Sequence, residues 1–359
     1  MGPYDHDEEN PEDAHTPLLN RRTSSDSDLK YPLSGGAGTW ATWGLAWSIM
    51  SLTVIIRWIA SPTEFQPSPH VNGVAMPTWR LVLLRLVEVL STLVLGLFIF
   101  YCVAKPLYLR REFNLDGKFV IGGLIALVSD GFLNGQQYIF AWNSYAVNRG
   151  SWAEFMPFHN PEAPTRYTES LLWGPPMYVY FCAGVAIVGT LLHGFLRRKM
   201  PTLSNEAIFA IVWIDAFVFD FCVETTIIST THAYAFAKTY GPLTIMKGQT
   251  HQFPLYESMF VATLGTLFTW MRVQAKQDVD GLSPLERGYQ RWNKGIGTRG
   301  WGSSWLGATV RSFAVIGFCS AACVLCYHLP LNWFGVIGTC VADLPDYLKP
   351  GEWENGGGY

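Results

Sequence analysis

Long apolar segments alternate with short polar ones along most of this chain. Each apolar segment is close to the roughly 20 residues that an α-helix needs to cross the hydrocarbon core of a bilayer. Several segments end in Trp or Tyr, as is typical at lipid headgroups. The pattern predicts an all-α polytopic membrane protein of about seven transmembrane helices, near residues 40–60, 79–104, 119–142, 172–196, 206–229, 253–273 and 308–328.

The positive residues predict how these helices are oriented. Seventeen Lys and Arg residues lie in the N-terminal segment and in alternate connections, whereas five lie on the opposite side. Because cytoplasmic loops retain positive charge, the N-terminus is predicted to be cytoplasmic and the C-terminus lumenal or external.

Composition divides the chain into three parts. Residues 1–38 carry eight acidic residues and no apolar periodicity, so we predict a disordered acidic tail there. Residues 39–328 form the predicted seven-helix domain, and residues 329–359 form a predicted lumenal tail. No cleavable signal peptide is expected before the first helix, whose apolar segment is long enough to anchor the chain.

Charge and cysteine content exclude several classes of protein. Only 15% of residues are charged, against about 25% in an ordinary soluble domain, and the net charge of −3 gives no nucleic-acid footprint. The seven Cys lie mostly inside apolar segments, so no disulfide framework is predicted. The stretch CVLCYH (323–328) has metal-like spacing, but without a second ligand pair it is interpreted as helix packing.

The fifth apolar segment contains WIDAFVFDFCVETTI (213–227), with three acids at membrane depth. Ionisable groups there are costly and usually functional. Asp220 and Glu224 are four residues apart and share a helix face, whereas Asp215 points away from Glu224 and is interpreted as an interhelical hydrogen-bonding residue. Two acids on one buried face repel, so one is expected to keep its proton, as general acid–base catalysis requires.

Other polar residues concentrate in the same outer half of the predicted membrane domain. Asp130, Asn134 and Gln137 have the spacing of one helical stripe, and Arg85 and Glu88 are placed to form an ion pair or to contact substrate. The predicted catalytic residues are Glu224, Asp220, Asp130 and Glu88. The predicted substrate-binding residues are Arg85, Asn134, Gln137, Trp173, Tyr178, His232, His251 and Glu257.

Six blocks resemble, in order and spacing, the avermectin-spirocyclase-like (AveC-like) family of polytopic membrane proteins. The resemblance covers roughly residues 80–290 and is carried by SDGFLNGQQYIF (129–140), WGPPMYVY (173–180), RRKMP (197–201), DAFVFDFCVE (215–224), QFPLYES (252–258) and DGLSPLERG (280–288). The architecture also resembles the integral-membrane terpene cyclases of fungal meroterpenoid pathways. No catalytic residue is carried over from either group.

The resemblance implies a membrane-bound, metal-independent cyclase without a cofactor, acting on a hydrophobic small molecule. The first expectation is ring closure of a prenylated, meroterpenoid-type substrate through epoxide or alkene protonation in the endoplasmic reticulum of a fungus, with membrane lipid and other pathway enzymes as partners. The alternatives are spiroketal closure on a polyketide and a non-enzymatic seven-helix transporter or receptor. A membrane prenyltransferase is disfavoured because the chain has no Asp-rich motif such as DDxxD.

Overall fold

The computed structural model describes residues 36–70, 75–110, 113–289 and 301–351. Almost all of the predicted acidic tail at residues 1–38, and residues 352–359 of the predicted C-terminal tail, lie outside these ranges.

The described chain is mainly helical. Its α-helices are α1 (Ala37–Ala60), α2 (Thr78–Phe98), α3 (Lys105–Arg110), α4 (Leu115–Ala126), α5 (Gly174–Val179), α6 (Val185–Lys199), α7 (Asn205–Thr231), α8 (Leu255–Gln277), α9 (Trp301–Cys323) and α10 (Leu329–Val336). Three π-helical segments make α2–α3, α5–α6 and α9–α10 continuous: Ile99–Ala104, Tyr180–Gly184 and Val324–His328. A helical segment therefore accompanies each predicted apolar run.

Within the described residues, four helices are long and apolar enough to cross a membrane. They cover Ala37–Ala60, Thr78–Leu109, Gly174–Lys199 and Trp305–Val336. Large apolar side chains such as Leu86, Leu93 and Leu97 are exposed along α2, as expected of a face that lipid covers. These features support a membrane protein, while the seven-span count and the orientation of the termini stay predictions.

The prediction for the third segment, 119–142, is wrong beyond Phe132. The helix α4 continues only through a 3₁₀ segment, Leu127–Phe132, and the chain then turns into a strand. The Asn134 side chain stabilises this exit, because it accepts hydrogen bonds from the backbone N–H groups of Ile139 and Phe140 and donates to the carbonyl of Phe140. Asp130, Asn134 and Gln137 therefore do not form a helical stripe.

The predicted boundary at residue 328 falls inside a continuous helix. Residues 329–336 extend this helix, and the segment beyond packs on the bundle, with Leu348 fully buried. The hydroxyl of Tyr138 donates to the carbonyl of Leu348 at 2.9 Å. The described part of the predicted C-terminal tail is thus integral to the fold, because its apolar side chains are buried.

Close helix contacts at glycines organise the interior. A Cβ atom on Gly44 of α1 would lie 2.0 Å from the carbonyl oxygen of Phe313, so α1 and α9 meet backbone to backbone. A Cβ atom on Gly123 of α4 would lie 2.6 Å from the carbonyl oxygen of Tyr178. This second contact brings α5 close to α4 and places Tyr178 beside the end of the 3₁₀ segment.

Short strands cover one end of the bundle. They form three antiparallel pairs: β1 (Phe140–Trp142) with β2 (Tyr234–Phe236), β3 (Lys238–Thr239) with β6 (Cys340–Val341), and β4 (Thr244–Ile245) with β5 (Phe253–Pro254). Both β1 and β2 are buried throughout. Their side chains therefore face the interior, where the acidic residues of α7 lie.

Candidate functional site

Three acidic side chains meet in the interior of the bundle. Asp220 and Glu224 come from α7, and Glu257 comes from the first turn of α8. One oxygen from each lies within 4.8 Å of the others, and all three side chains are buried. We call these three residues the carboxylate cluster. The predicted shared face of Asp220 and Glu224 is confirmed, and Asp215 is exposed on another face of α7.

Local helix signals position the cluster. Helix α7 begins after Ser204, whose hydroxyl accepts a hydrogen bond from the backbone N–H of Ala207, and ends at His232, which has a left-handed φ of 50°. Pro254 precedes α8, so Glu257 lies at the N-terminal end of that helix. The partial positive charge of a helix N-terminus stabilises a nearby acidic group.

Among the described residues, no Lys, Arg or His forms an ion pair with any of the three carboxyls. Two unit charges 4.8 Å apart repel by about 3.5 kcal/mol at an effective dielectric constant of about 20. Three ionised carboxylates would therefore be costly, and the cluster must share protons or hold a cation. Its oxygens are of the kind that Mg²⁺ and Ca²⁺ bind.

Aromatic side chains from four segments lie next to the cluster. The Tyr234 ring stacks on Trp173 with centroids 6.5 Å apart and meets the Trp142 ring edge to face at 5.4 Å. The Tyr327 hydroxyl donates to Glu257 Oε1 at 3.2 Å. We call Trp142, Trp173, Tyr234 and Tyr327 the aromatic layer. Aromatic faces attract cations, so this layer would stabilise positive charge on a bound molecule.

Three polar atoms at this site are buried without a hydrogen-bond partner among the described residues. They are Asp220 Oδ2, the Tyr234 hydroxyl and Trp173 Nε1. The Tyr234 hydroxyl lies beside Glu224. Because buried polar atoms are normally paired, these groups are available to bind a polar ligand atom.

A second polar group adjoins the aromatic layer. The Tyr178 hydroxyl donates to Asp130 Oδ1 at 2.7 Å and also contacts His328 Nε2. Trp142 Nε1 donates to Asp130 Oδ2 at 3.2 Å. We call Asp130, Tyr178 and His328 the Asp–Tyr–His triad; all three are buried. Trp142 connects the triad to the aromatic layer.

Glu169, from the long loop between β1 and α5, lies against Asp130. Burial, followed by the charge of Asp130, raises the pKa of Glu169 well above its usual range. Burial and the nearby charge of Asp130 thus both favour the protonated form of Glu169.

Two π-helical segments adjoin these groups. Tyr178 directly precedes one, Tyr180–Gly184, while Tyr327 and His328 end another, Val324–His328. As a result Tyr327 contacts the carboxylate cluster while its chain neighbour His328 joins the triad. Such π segments are frequent at functional sites.

Several predicted site residues have structural partners elsewhere. Arg85 and Glu88 form the predicted ion pair, and Glu88 Oε1 also accepts the backbone N–H of Val147 at 2.8 Å. Arg85 donates to the carbonyl of Tyr145 at 2.7 Å. The pair thus binds the loop after β1 to helix α2. The structure does not bring Glu88 into the carboxylate cluster. A catalytic role for Glu88 stays an untested prediction.

The remaining predicted residues lie at the covered end. Asn134 shapes the turn described above, and Gln137 is exposed and accepts a hydrogen bond from Lys238 Nζ at 2.6 Å. His232 Nδ1 contacts the Tyr347 hydroxyl at 2.8 Å, and His251 is half-buried nearby. Burial, with the charge of Arg80, lowers the pKa of His232 to about 4.

Sequence reasoning missed His328, Glu169, Tyr234, Tyr327 and Ser258. Ser258 and Glu257 both lie against Asp220. The signal for His328 was present in CVLCYH, where a single His ends an apolar segment, but we interpreted that stretch as packing. Tyr234 and Glu169 lie in loops, and only the strand pairing and the loop path bring them to the site.

A family model described as "Spirocyclase AveC-like" matches residues 110–343. This range contains the carboxylate cluster, the aromatic layer and the triad. No curated protein and no solved structure matches the chain.

Proposed function

The chain belongs to the AveC-like spirocyclase family, and from this premise we propose that it closes rings in a linear apolar substrate by acid–base catalysis without a metal ion. The family implies an enzyme of the cyclase type. The observation that carries the chemistry is the carboxylate cluster, where three buried acids without a basic partner are bordered by aromatic rings.

For a prenylated phenol with a terminal epoxide, a neutral carboxyl of the cluster protonates the epoxide oxygen. The C–O bond breaks, an alkene of the chain attacks the resulting cationic carbon, and a new C–C bond forms. A final proton leaves the cyclised cation, so that substrate and product are isomers. The aromatic layer supports this path because it can stabilise each cationic intermediate.

Spiroketal closure on a dihydroxyketone is the second candidate, and the description of the matching family favours it. Here the same acid protonates the ketone-derived oxygen, one water leaves, and two substrate hydroxyls bond to the former carbonyl carbon. Positive charge again develops beside the aromatic layer. Both reactions require a proton donor and a proton acceptor within reach of the substrate.

A groove on the α7–α8 seam supports an elongated substrate. It encloses about 640 Å³ and is lined in part by Phe209, Trp213 and Trp270. Trp213 precedes Asp220 by seven residues, so the two share a face of α7 about 10 Å apart along the helix. An apolar tail lying along this seam would bring its reactive end to the cluster. We further propose that the protein works in the endoplasmic reticulum membrane of a fungus, with lipid and other pathway enzymes as neighbours.

The test uses microsomes that carry the protein, suspended in EDTA and incubated with a farnesylated phenol, its terminal epoxide, or a dihydroxyketone polyketide. Chromatography with mass detection follows the products, and microsomes without the protein are the control. A new isomer from a prenylated probe supports the first candidate, and a product lighter by one water from the dihydroxyketone supports the second. No product from any probe, or products that form only when Mg²⁺ replaces EDTA, would contradict the proposal.

A further inference from the structure

The Asp–Tyr–His triad holds more protons than its residues carry at neutral pH when separate. His328 Nδ1 lies 2.9 Å from the carbonyl oxygen of Cys323 and 3.1 Å from the Ser129 hydroxyl. A carbonyl cannot donate, and the Ser129 hydroxyl already donates to the carbonyl of Ala126 at 2.5 Å. The hydrogen in these contacts must therefore be on His328 Nδ1.

The contacts at Nε2, the other ring nitrogen of His328, require one more hydrogen than the separate residues carry. Tyr178 has one hydroxyl hydrogen, which it donates to Asp130 Oδ1, yet the same oxygen also contacts His328 Nε2. Two contacts between electronegative atoms need two hydrogens. The second hydrogen is therefore on Nε2, which makes His328 an imidazolium, or on Asp130.

The neighbours of Asp130 favour one of the two positions. Trp142 Nε1 donates to Asp130 Oδ2 at 3.2 Å, the Tyr178 hydroxyl donates to Oδ1 at 2.7 Å, and the Glu169 carboxyl lies against the same group. Both donors favour an ionised Asp130 that accepts their hydrogens. The resting triad is then an imidazolium, a phenol and a carboxylate. The other titratable groups beside it are Glu169, Tyr167, Cys323 and Tyr327.

The number of hydrogens in the triad decides whether it can release or accept a proton. If the triad released a proton, one of its contacts would have no hydrogen, and two lone pairs would face each other there. Gaining one is possible with every contact kept, because Asp130 can become neutral while His328 stays charged. The carboxylate cluster is suited to the opposite role. Repulsion between its three acids favours protonated carboxyls, and a protonated carboxyl can donate its proton to a substrate.

We propose that Asp130 is the proton acceptor that completes ring closure, and that Tyr178 and His328 are positioning residues that hold its charge towards the aromatic layer. This inference rests on the proposed function and adds the residue that accepts the proton at the end of the reaction. The carboxylate cluster gives the first proton to the substrate, and Asp130 takes the last proton from it. The protons balance, since the substrate receives one proton from the cluster and the cyclised cation gives one proton to Asp130.

Product analysis separates donor from acceptor. With the terminal epoxide of the farnesylated phenol, Glu224→Gln should lower substrate consumption by about 10²–10⁴-fold, as loss of a general acid does. Asp130→Asn and His328→Gln should still consume the probe, within about tenfold of wild type, but yield water-trapped or isomeric products instead of the wild-type ring. Ser320→Ala, a buried change on the same helix as His328 and away from the triad, is the matched control.

A second readout needs no turnover. In the full chain labelled with ¹⁵N-histidine, the signal absent from His328→Gln identifies this residue among eight histidines. We expect both of its ring nitrogens to be protonated at pH 7.5 in the wild type, and one proton to be lost in Tyr178→Phe, where the link to Asp130 is broken. If the wild type consumes no probe, the proposed function fails and this readout alone decides the proton count.

Two results would overturn the inference. One is a singly protonated His328 in the wild type at pH 7.5. The other is Asp130→Asn protein that either stops consumption as fully as Glu224→Gln or gives the wild-type product pattern unchanged.

Discussion

Replacing Glu224 by Gln removes one acid from the carboxylate cluster and keeps the shape of the side chain. The three carboxyls lie within 4.8 Å of one another, so each pair of charges would cost about 3.5 kcal/mol at an effective dielectric constant of about 20. Glu224 takes part in two of these three pairs, and the amide carries no charge while it can still bond to neighbouring groups. Glu224→Gln should therefore keep the free energy of unfolding if Glu224 is protonated at rest, and raise it by about 3.5 kcal/mol for each charged pair removed if it is ionised.

The same change should nearly abolish turnover. An amide cannot supply the proton that opens the substrate, so we expect kcat to fall by about 10²–10⁴-fold on whichever probe the wild type converts. Activity is thus predicted to fall without a loss of stability, which a merely structural role of Glu224 would not produce.

The assay pairs product formation in microsomes with thermal unfolding of the purified protein in detergent. Asp215→Asn is the matched control, because Asp215 lies on the same helix, is exposed, and should leave both measurements unchanged. The reasoning is refuted if Glu224→Gln retains turnover within threefold of wild type or lowers the unfolding midpoint as a lost structural contact would.

Three further predictions concern the scaffold. Asn134→Ala should lower the free energy of unfolding by about 3 kcal/mol, because three hydrogen bonds between the side chain and the backbone are lost. Gln137→Ala, at an exposed position, should leave the free energy of unfolding nearly unchanged. Equal effects of the two substitutions would contradict the assigned role of Asn134. Gly44→Ala should lower stability by about 2 kcal/mol because α1 must move away from α9, while Gly96→Ala, whose Cβ would meet nothing within 4 Å, should not; a stable Gly44→Ala protein would show that the helices are not in contact. Since the pKa of His232 is about 4 in the folded chain and about 6.5 when unfolded, its contribution is present above pH 6.5 and is lost as pH falls towards 4. His232→Gln should therefore lose less stability than wild type between pH 7.5 and pH 5, and an equal loss would refute the assignment.

Helical spacing predicted much of the acidic site. Asp220 and Glu224 share a face because they are four residues apart on one long helix, and this relation needs no tertiary information. Four of the six blocks that carry the family resemblance also supply site residues, namely Asp130, Tyr178, Glu224 and Glu257 with their neighbours.

The rest of the site depends on long-range packing that periodicity does not encode. Spacing continued the third helix through Gln137, but the Asn134 side chain ends it by bonding to the backbone that follows. Tyr234 reaches the carboxylate cluster only because β2 pairs with β1, and His328 reaches Tyr178 through a π-helical segment. Arg85 and Glu88 were weighed as a pair or as a site, and the structure gives the pair.

The central claim is that protons on the carboxylate cluster, without a metal ion, open the substrate. The most direct measurement is the rate at which purified protein in EDTA consumes the terminal epoxide of a farnesylated phenol or the dihydroxyketone, comparing wild type with the Asp220→Asn/Glu224→Gln double variant. The account predicts conversion of one probe by the wild type and loss of conversion in a double variant that remains folded. Equal rates in the two proteins, or wild-type conversion that requires added Mg²⁺, would contradict it.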